Sequence, residues 1–308
     1  MTSLDDFLYP SQKKLFKRLC KKFKGNTLIS KGNVILVGGQ APVMLVAHLD
    51  TVHSQRVHDI CKSNDGNILM SPQGIGGDDR CGVFALVQAY HAAQIKPWLL
   101  FCCDEEVGGL GAKKFCLAHQ QHQLPKELDQ LKFLIEIDRK GSNDAVYYNC
   151  ANSDFEEYIT SKGFKSAQGS FSDISLIAPE LGIAAVNLSS GYYHAHSLHE
   201  FINRSELNFT IQKIIEIVSD SVNNDFPKFE YVESCGSLYY SQKNRPYDNL
   251  TILYNKQDDI PRRISSELKG IYEALLDFYS VNELESFRAE YGDQILWQIY
   301  KDEIASFY

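Results

Sequence analysis

Val43-Met-Leu-Val-Ala-His48-Leu-Asp50-Thr51-Val52 is the stretch from which the fold can be read. An unbroken apolar run followed by a histidine and an aspartate predicts a strand over 43–47, buried on both faces, with polar function at its end. In extended backbone, residues i and i+2 point to one side, so His48 and Asp50 can serve as an imidazole ligand and its carboxylate orienter. Comparable short strands are predicted at 34–37, 98–103, 133–137, 145–149 and 183–188. Helical stretches near 80–94, 109–120, 153–162, 173–180 and 205–222 fall between them. Alternation of this kind predicts an α/β sandwich with a largely parallel central sheet, and ligands gather at the carboxyl ends of such strands.

Composition narrows the class. The 308 residues are 44% hydrophobic and 23% charged, enough for a real core. Lys+Arg number 31 against 39 Asp+Glu, a formal charge of -8, which argues against a nucleic-acid partner. A basic amphipathic helix at 13–24, with Leu15, Phe16, Leu19 and Phe23 on one face, reads as a solvated surface rather than a membrane or nucleic-acid contact. No apolar run approaches the ~20 residues of a membrane span. The N-terminal Met-Thr-Ser-Leu-Asp-Asp lacks an apolar signal region, and the eight cysteines contain no C-x-x-C pair. A cytoplasmic protein with reduced thiols is expected. Two domains are expected: 1–225 carrying the catalysis, and a C-terminal extension over 226–308, mixed then helical. In the extension Leu268, Ile271, Tyr272, Leu275, Leu276 and Tyr279 repeat at helical spacing.

Metal-ligand residue types cluster at several strand ends. Beyond His48 and Asp50 come Gly74-Ile-Gly-Gly-Asp78-Asp79-Arg-Cys-Gly82, Cys103-Asp104-Glu105-Glu106-Val-Gly-Gly109, Ile135-Glu136-Ile137-Asp138 and Gly191-Tyr-Tyr-His194-Ala-His196-Ser-Leu-His199-Glu200. Mixed imidazole and carboxylate sets without paired cysteines suit zinc, and also Mn or Co, better than a thiolate site.

In this order the motifs resemble the co-catalytic zinc exopeptidase superfamily, which includes peptidase T, the aminoacylases and the glutamyl and leucyl aminopeptidases. The resemblance covers roughly 35–220. It implies a three-layer sandwich with a mostly parallel, mixed central β-sheet, the phosphorylase/hydrolase-like catalytic domain of those enzymes. It makes His48 and Asp138 ligands of one metal, Glu106 and His196 ligands of the other, and Asp79 the bridging carboxylate, with Asp78 its close neighbour. Asp50 falls on the residue that orients the first histidine, and Glu105 on the general base. The activity implied is hydrolysis of an amide bond by metal-activated water, most simply as an aminopeptidase on short peptides. The alternatives are an N-acyl amino acid deacylase or an inactive, peptidase-like interaction protein.

Other residues carry two readings each. His194 can donate to an oxyanion or be structural, and Tyr192 and Tyr193 can act or merely line the site. Asp173 can receive a substrate amine or cap a helix. Arg139 can grip a carboxylate or sit on the surface. Asp173, Asp78 and Asp104 near the metals, against Arg139 and Arg80, favour a substrate with a free amino end. Asp138 and His196 are only 58 positions apart, too close for the ~100-residue lid or dimerisation domain of many relatives. A homo-oligomer formed through the C-terminal helices is the partner expectation.

Overall fold

A computed structural model describes residues 3–29, 33–150, 152–169 and 171–233, and beyond them Leu268, Ile271, Tyr272, Leu275, Leu284, Arg288 and Leu296. The helices are α1 (Asp5–Leu8), α2 (Gln12–Lys22), α3 (Gly77–Ala92), α4 (Leu110–Gln120), α5 (Ser153–Ser161), α6 (Ile174–Leu181) and α7 (Arg204–Ser221). The strands are β1 (Thr27–Ile29), β2 (Val34–Val37), β3 (Val43–His48), β4 (Cys61–Lys62), β5 (Ile68–Met70) and β6 (Trp98–Cys102). They continue with β7 (Phe133–Arg139), β8 (Asp144–Val146), β9 (Lys165–Ser166), β10 (Ala185–Ser189), β11 (Tyr192–Tyr193) and β12 (Phe201–Asn203).

Eight strands form the main sheet in the order β1-β2-β6-β3-β7-β10-β8-β9. Its centre, β6-β3-β7-β10, is parallel; β1 and β2 pair antiparallel with their neighbours and β8 with β10, whereas β9 is parallel to β8, so the sheet is mixed. The apolar run of β3 is explained by burial from both sides. Val43, Leu45 and Ala47 join a core with α3, α5 and α7, whereas Met44 and Val46 face a second core with α4 and α6. Each such side chain, fully removed from water, contributes about 1.5–3 kcal/mol. A smaller antiparallel sheet, β11-β12-β5-β4, lies beside α3.

Helix starts follow local chemistry. Asn152 accepts from Phe155 N at the head of α5, and Asn203 from Ser205 N at the head of α7. On α2 the apolar stripe is turned inward at Leu15 and Leu19, with Lys13, Lys14, Lys17 and Lys21 in water. Among the described residues no helix is long and apolar enough to cross a membrane.

The chain divides into two compact units, Met1–Tyr239 and Tyr240–Tyr308. The first therefore runs past the expected boundary at 225. Phe226 and Phe229 pack with Phe133, Phe155 and Tyr158, ring centroids 5.0–6.0 Å apart for the Phe229 contacts, and Phe229 N donates to Lys132 O. In the second unit Leu268, Ile271, Tyr272 and Leu275 are helical and buried; Leu276 and Tyr279 lie outside the described residues.

Candidate metal centre

β3, β6 and β7 are adjacent and parallel, so their carboxyl ends share one edge of the sheet. His48 closes β3, Glu105 and Glu106 follow β6, and Asp138 lies near the end of β7. Asp78 stands at the start of α3, and His196 comes in from the β11–β12 connection. Two groups of donor atoms result. In one, His48 Nε2 lies 3.1 Å from Asp78 Oδ1 and 3.4 Å from Asp138 Oδ1. In the other, His196 Nε2 lies 3.3 Å from Asp78 Oδ2 and 3.2 Å from Glu106 Oε1. His48, Asp78 and Asp138 form one set able to hold an ion, Asp78, Glu106 and His196 another, and His48, Glu105 and Glu106 a third that shares His48 with the first and Glu106 with the second. Asp78 belongs to the first two, with one oxygen toward each.

The expected bridging residue, Asp79, is elsewhere. It is fully buried, and its oxygens accept from His48 N at 3.2 Å and Gly82 N at 3.0 Å. Backbone amides already satisfy this carboxylate, so it holds the end of β3 in place instead of facing the second histidine. Gly82 is required by that close approach, since a Cβ there would collide with Ile137 O and the Asp79 carboxylate. The place between the histidines belongs to Asp78.

Supporting groups surround the five. Asp50 accepts from Glu105 N at 3.1 Å and Glu106 N at 3.0 Å, tying the two glutamates to β3, and lies 3.4 Å from His48 Nδ1. Glu200, fully buried, accepts from Gly76 N and Asp78 N and pairs with His53 Nε2 at 2.8 Å. That clamp fixes the turn carrying Asp78, and the sequence offered as its signal only one more acid after His199. Tyr192 donates to Asp138 Oδ1 at 3.3 Å, and Asn187 Oδ1 accepts from Asp138 N at 2.8 Å.

Electrostatics mark the cluster as unsatisfied. Burial, then the charge of neighbouring carboxylates, pushes Glu105 up to about 7. Asp138 is raised well above the carboxylate range by burial and by Asp78, and Glu106 is raised for the same two reasons. Burial opposes charge on Asp78 as well, but hydrogen bonds from His196 and His48 outweigh it and hold that carboxyl low. The hydrogen bond to Asp78 lifts His196 to about 9 against the opposing effect of burial, with Glu106 adding to the rise. Glu106 Oε1 is buried, with the His196 ring at 3.2 Å as its close polar neighbour. Carboxylates crowded around imidazoles are the donor chemistry of a cation site. The residues fit two divalent ions.

The remaining sequence candidates separate. Arg139 lines a cavity of about 280 Å³ that opens on Asp78, Glu105, Glu106, Asp138 and His196. Lys140, Tyr148 and Phe171, which the sequence did not single out as site residues, line it too. His194 is exposed and its ring lies on Phe201. Tyr193 stacks on Phe201 and donates to Glu206 at 2.6 Å, a structural pairing outside the cavity. Asp173 neither caps a helix nor reaches the cavity: it precedes α6 without a side-chain cap bond and is fully buried. Asp104 accepts from Gln12 and Asn33. Of the three carboxylates expected to favour a substrate ammonium, Asp173 and Asp104 are therefore turned away from the cavity, and Asp78 lines it among the candidate ligands. Arg80 is buried and donates to Phe7 O and Pro10 O, anchoring the N-terminal segment.

No known family's sequence pattern matches the chain, and no curated protein matches it in sequence. Solved structures do. Aminopeptidase PepT from Bacillus cereus superposes with a TM-score of 0.51 at 15% identity, covering 71% of this chain and 98% of its own. A tripeptidase from Staphylococcus aureus gives 0.52 at 16%, covering 71% and 96%. A TET aminopeptidase from a marine sediment archaeon gives 0.53 at 11%, covering 71% and 95%. The chain has the mixed α/β fold of these aminopeptidases, built on a central sheet with a parallel core.

Proposed function

We propose that this protein is a metal-dependent hydrolase of amide bonds, an aminopeptidase of the co-catalytic zinc exopeptidase kind acting on short peptides. The observation that carries the reading is Asp78, whose two oxygens face two histidines, each with a further carboxylate beside it. The aminopeptidases that share the fold support it. Two divalent ions, zinc or else manganese or cobalt, would supply Lewis-acid polarisation of the scissile carbonyl and of the attacking water. His48 and Asp138 would hold one, Glu106 and His196 the other, and Asp78 both.

The chain's own residues do the rest. Asp50 fixes Glu105 and Glu106 through their amides and stands behind the His48 ring, so ligand and base keep one geometry. Glu105 lines the cavity and is the lining acid left over once each ion has a histidine, a carboxylate of its own and Asp78. Its carboxylate takes the water proton and returns it to the leaving amine. Asn187 and Tyr192 keep Asp138 in register.

The test is hydrolysis by zinc-reconstituted protein of dipeptides, aminoacyl amides and N-acyl amino acids, alongside Glu105→Gln. The wild-type chain is expected to release the amine, and the variant to keep its metal while turnover falls about 100-fold or more. A variant that retains full turnover removes Glu105 from the mechanism.

A further inference from the structure

Arg139 follows Asp138 directly, at the end of β7, and lines the same cavity as the metal-centre residues. Its side chain is 23% exposed, and its Nε is buried without a hydrogen-bond partner. The one acid paired with it, Asp144, stands 3.9 Å away, beyond hydrogen-bonding reach. Lys140, exposed, lines the cavity beside it. A guanidinium that is half sheltered and not engaged by its neighbouring acid is suited to take a carboxylate from a ligand.

The charge balance points the same way. Two divalent ions bring four charges against the three carboxylates that would hold them, Asp78, Glu106 and Asp138. Glu105 is the remaining acid among the described residues of the lining, and Arg139 and Lys140 add two cations. The loaded cavity is thus positive at the end where Arg139 and Lys140 stand. An anionic group on the substrate is favoured there, and among the described residues of the lining only Glu105 is left to meet an ammonium. The volume limits the substrate as well: about 280 Å³ falls just under the ~300–1,000 Å³ of pockets that enclose drug-sized ligands.

We propose that Arg139, with Lys140, binds the free carboxylate of the amino acid released by cleavage, so that the substrates are dipeptides and N-acyl amino acids rather than the ends of long chains. This rests on the proposed two-metal hydrolysis and names the substrate class of that same site.

Titration calorimetry on zinc-loaded Glu105→Gln protein reads the contact without turnover. Ala-Ala and N-acetylalanine are expected to bind about 10-fold or more tightly than Ala-alaninamide. Arg139→Gln added to that protein is expected to bring the ratio close to one, and Lys140→Gln, at an exposed position, to narrow it by less. Equal affinity for acid and amide in protein that holds its zinc overturns the carboxylate contact alone, as does an unchanged ratio in Arg139→Gln. Failure to bind zinc, together with no hydrolysis of any of the three compounds by the wild-type chain, overturns the two-metal reading and this proposal with it.

Discussion

Asp79 and Asp173 are both fully buried, yet the fold treats them differently. Asp79 receives two backbone amides, whereas the Asp173 carboxyl receives no nitrogen or oxygen donor among the described residues, and its polar neighbours include the weakly donating Cys102 thiol and the Glu136 carboxylate. Burial, reinforced by the charge of Glu136, raises Asp173 well above the carboxylate range. A carboxyl that binds its proton more tightly when folded contributes stability in full below its unfolded value, and that contribution is lost as pH climbs toward the folded one. The slope is about 1.4 kcal/mol per pH unit for one proton. Asp173→Asn removes this proton and retains the shape. Denaturant unfolding between pH 5 and 8, at fixed metal, is expected to show wild-type stability falling relative to the variant as pH rises. Parallel curves for the two proteins would contradict the assignment.

At the scale of elements, β2, β3, β6 and β7 were legible because burial on both faces makes each an apolar run, broken in β7 only by the buried Glu136 before its polar end. β4, β5, β9 and β11, of two or three residues, leave no such run, and their pairing comes from tertiary contact. The predicted strand at 145–149 ends at Val146, since Tyr148 and Asn149 take positive φ. Site residues at strand ends were readable for the same reason as the strands. The choice between Asp78 and Asp79 was not, because neighbouring acids of one chemistry differ only in which backbone amides they meet. The 226–233 segment was missed as core because the stretch it opens, 226–263, is rich in Tyr, Asn and Asp, while Phe226 and Phe229 complete an aromatic cluster over β7 and α5. Phe229→Ala leaves a cavity there, and chemical denaturation is expected to show a loss of about 3–5 kcal/mol. A change under about 1 kcal/mol would place Phe229 outside the core.

For the molecule as a whole, the sheet gathers at one edge residues scattered from His48 to His196. Four acids and two histidines lie there within a few ångströms, and three of the acids, Glu105, Glu106 and Asp138, are pushed toward protonation in the absence of compensating cations. Arg139 and Lys140 line the same cavity, so the proposed substrate selection and the proposed catalysis would share one end of the first unit. The proposed hydrolysis depends on that compensation being two ions joined by Asp78. Elemental analysis of purified, zinc-replete protein, set beside Asp78→Ala and Asp79→Asn, measures it directly. About two zinc ions per wild-type chain are expected, with occupancy falling at both positions in Asp78→Ala and retained in Asp79→Asn. A wild-type chain that binds no zinc, or an Asp78→Ala chain that keeps its full complement, would contradict the account.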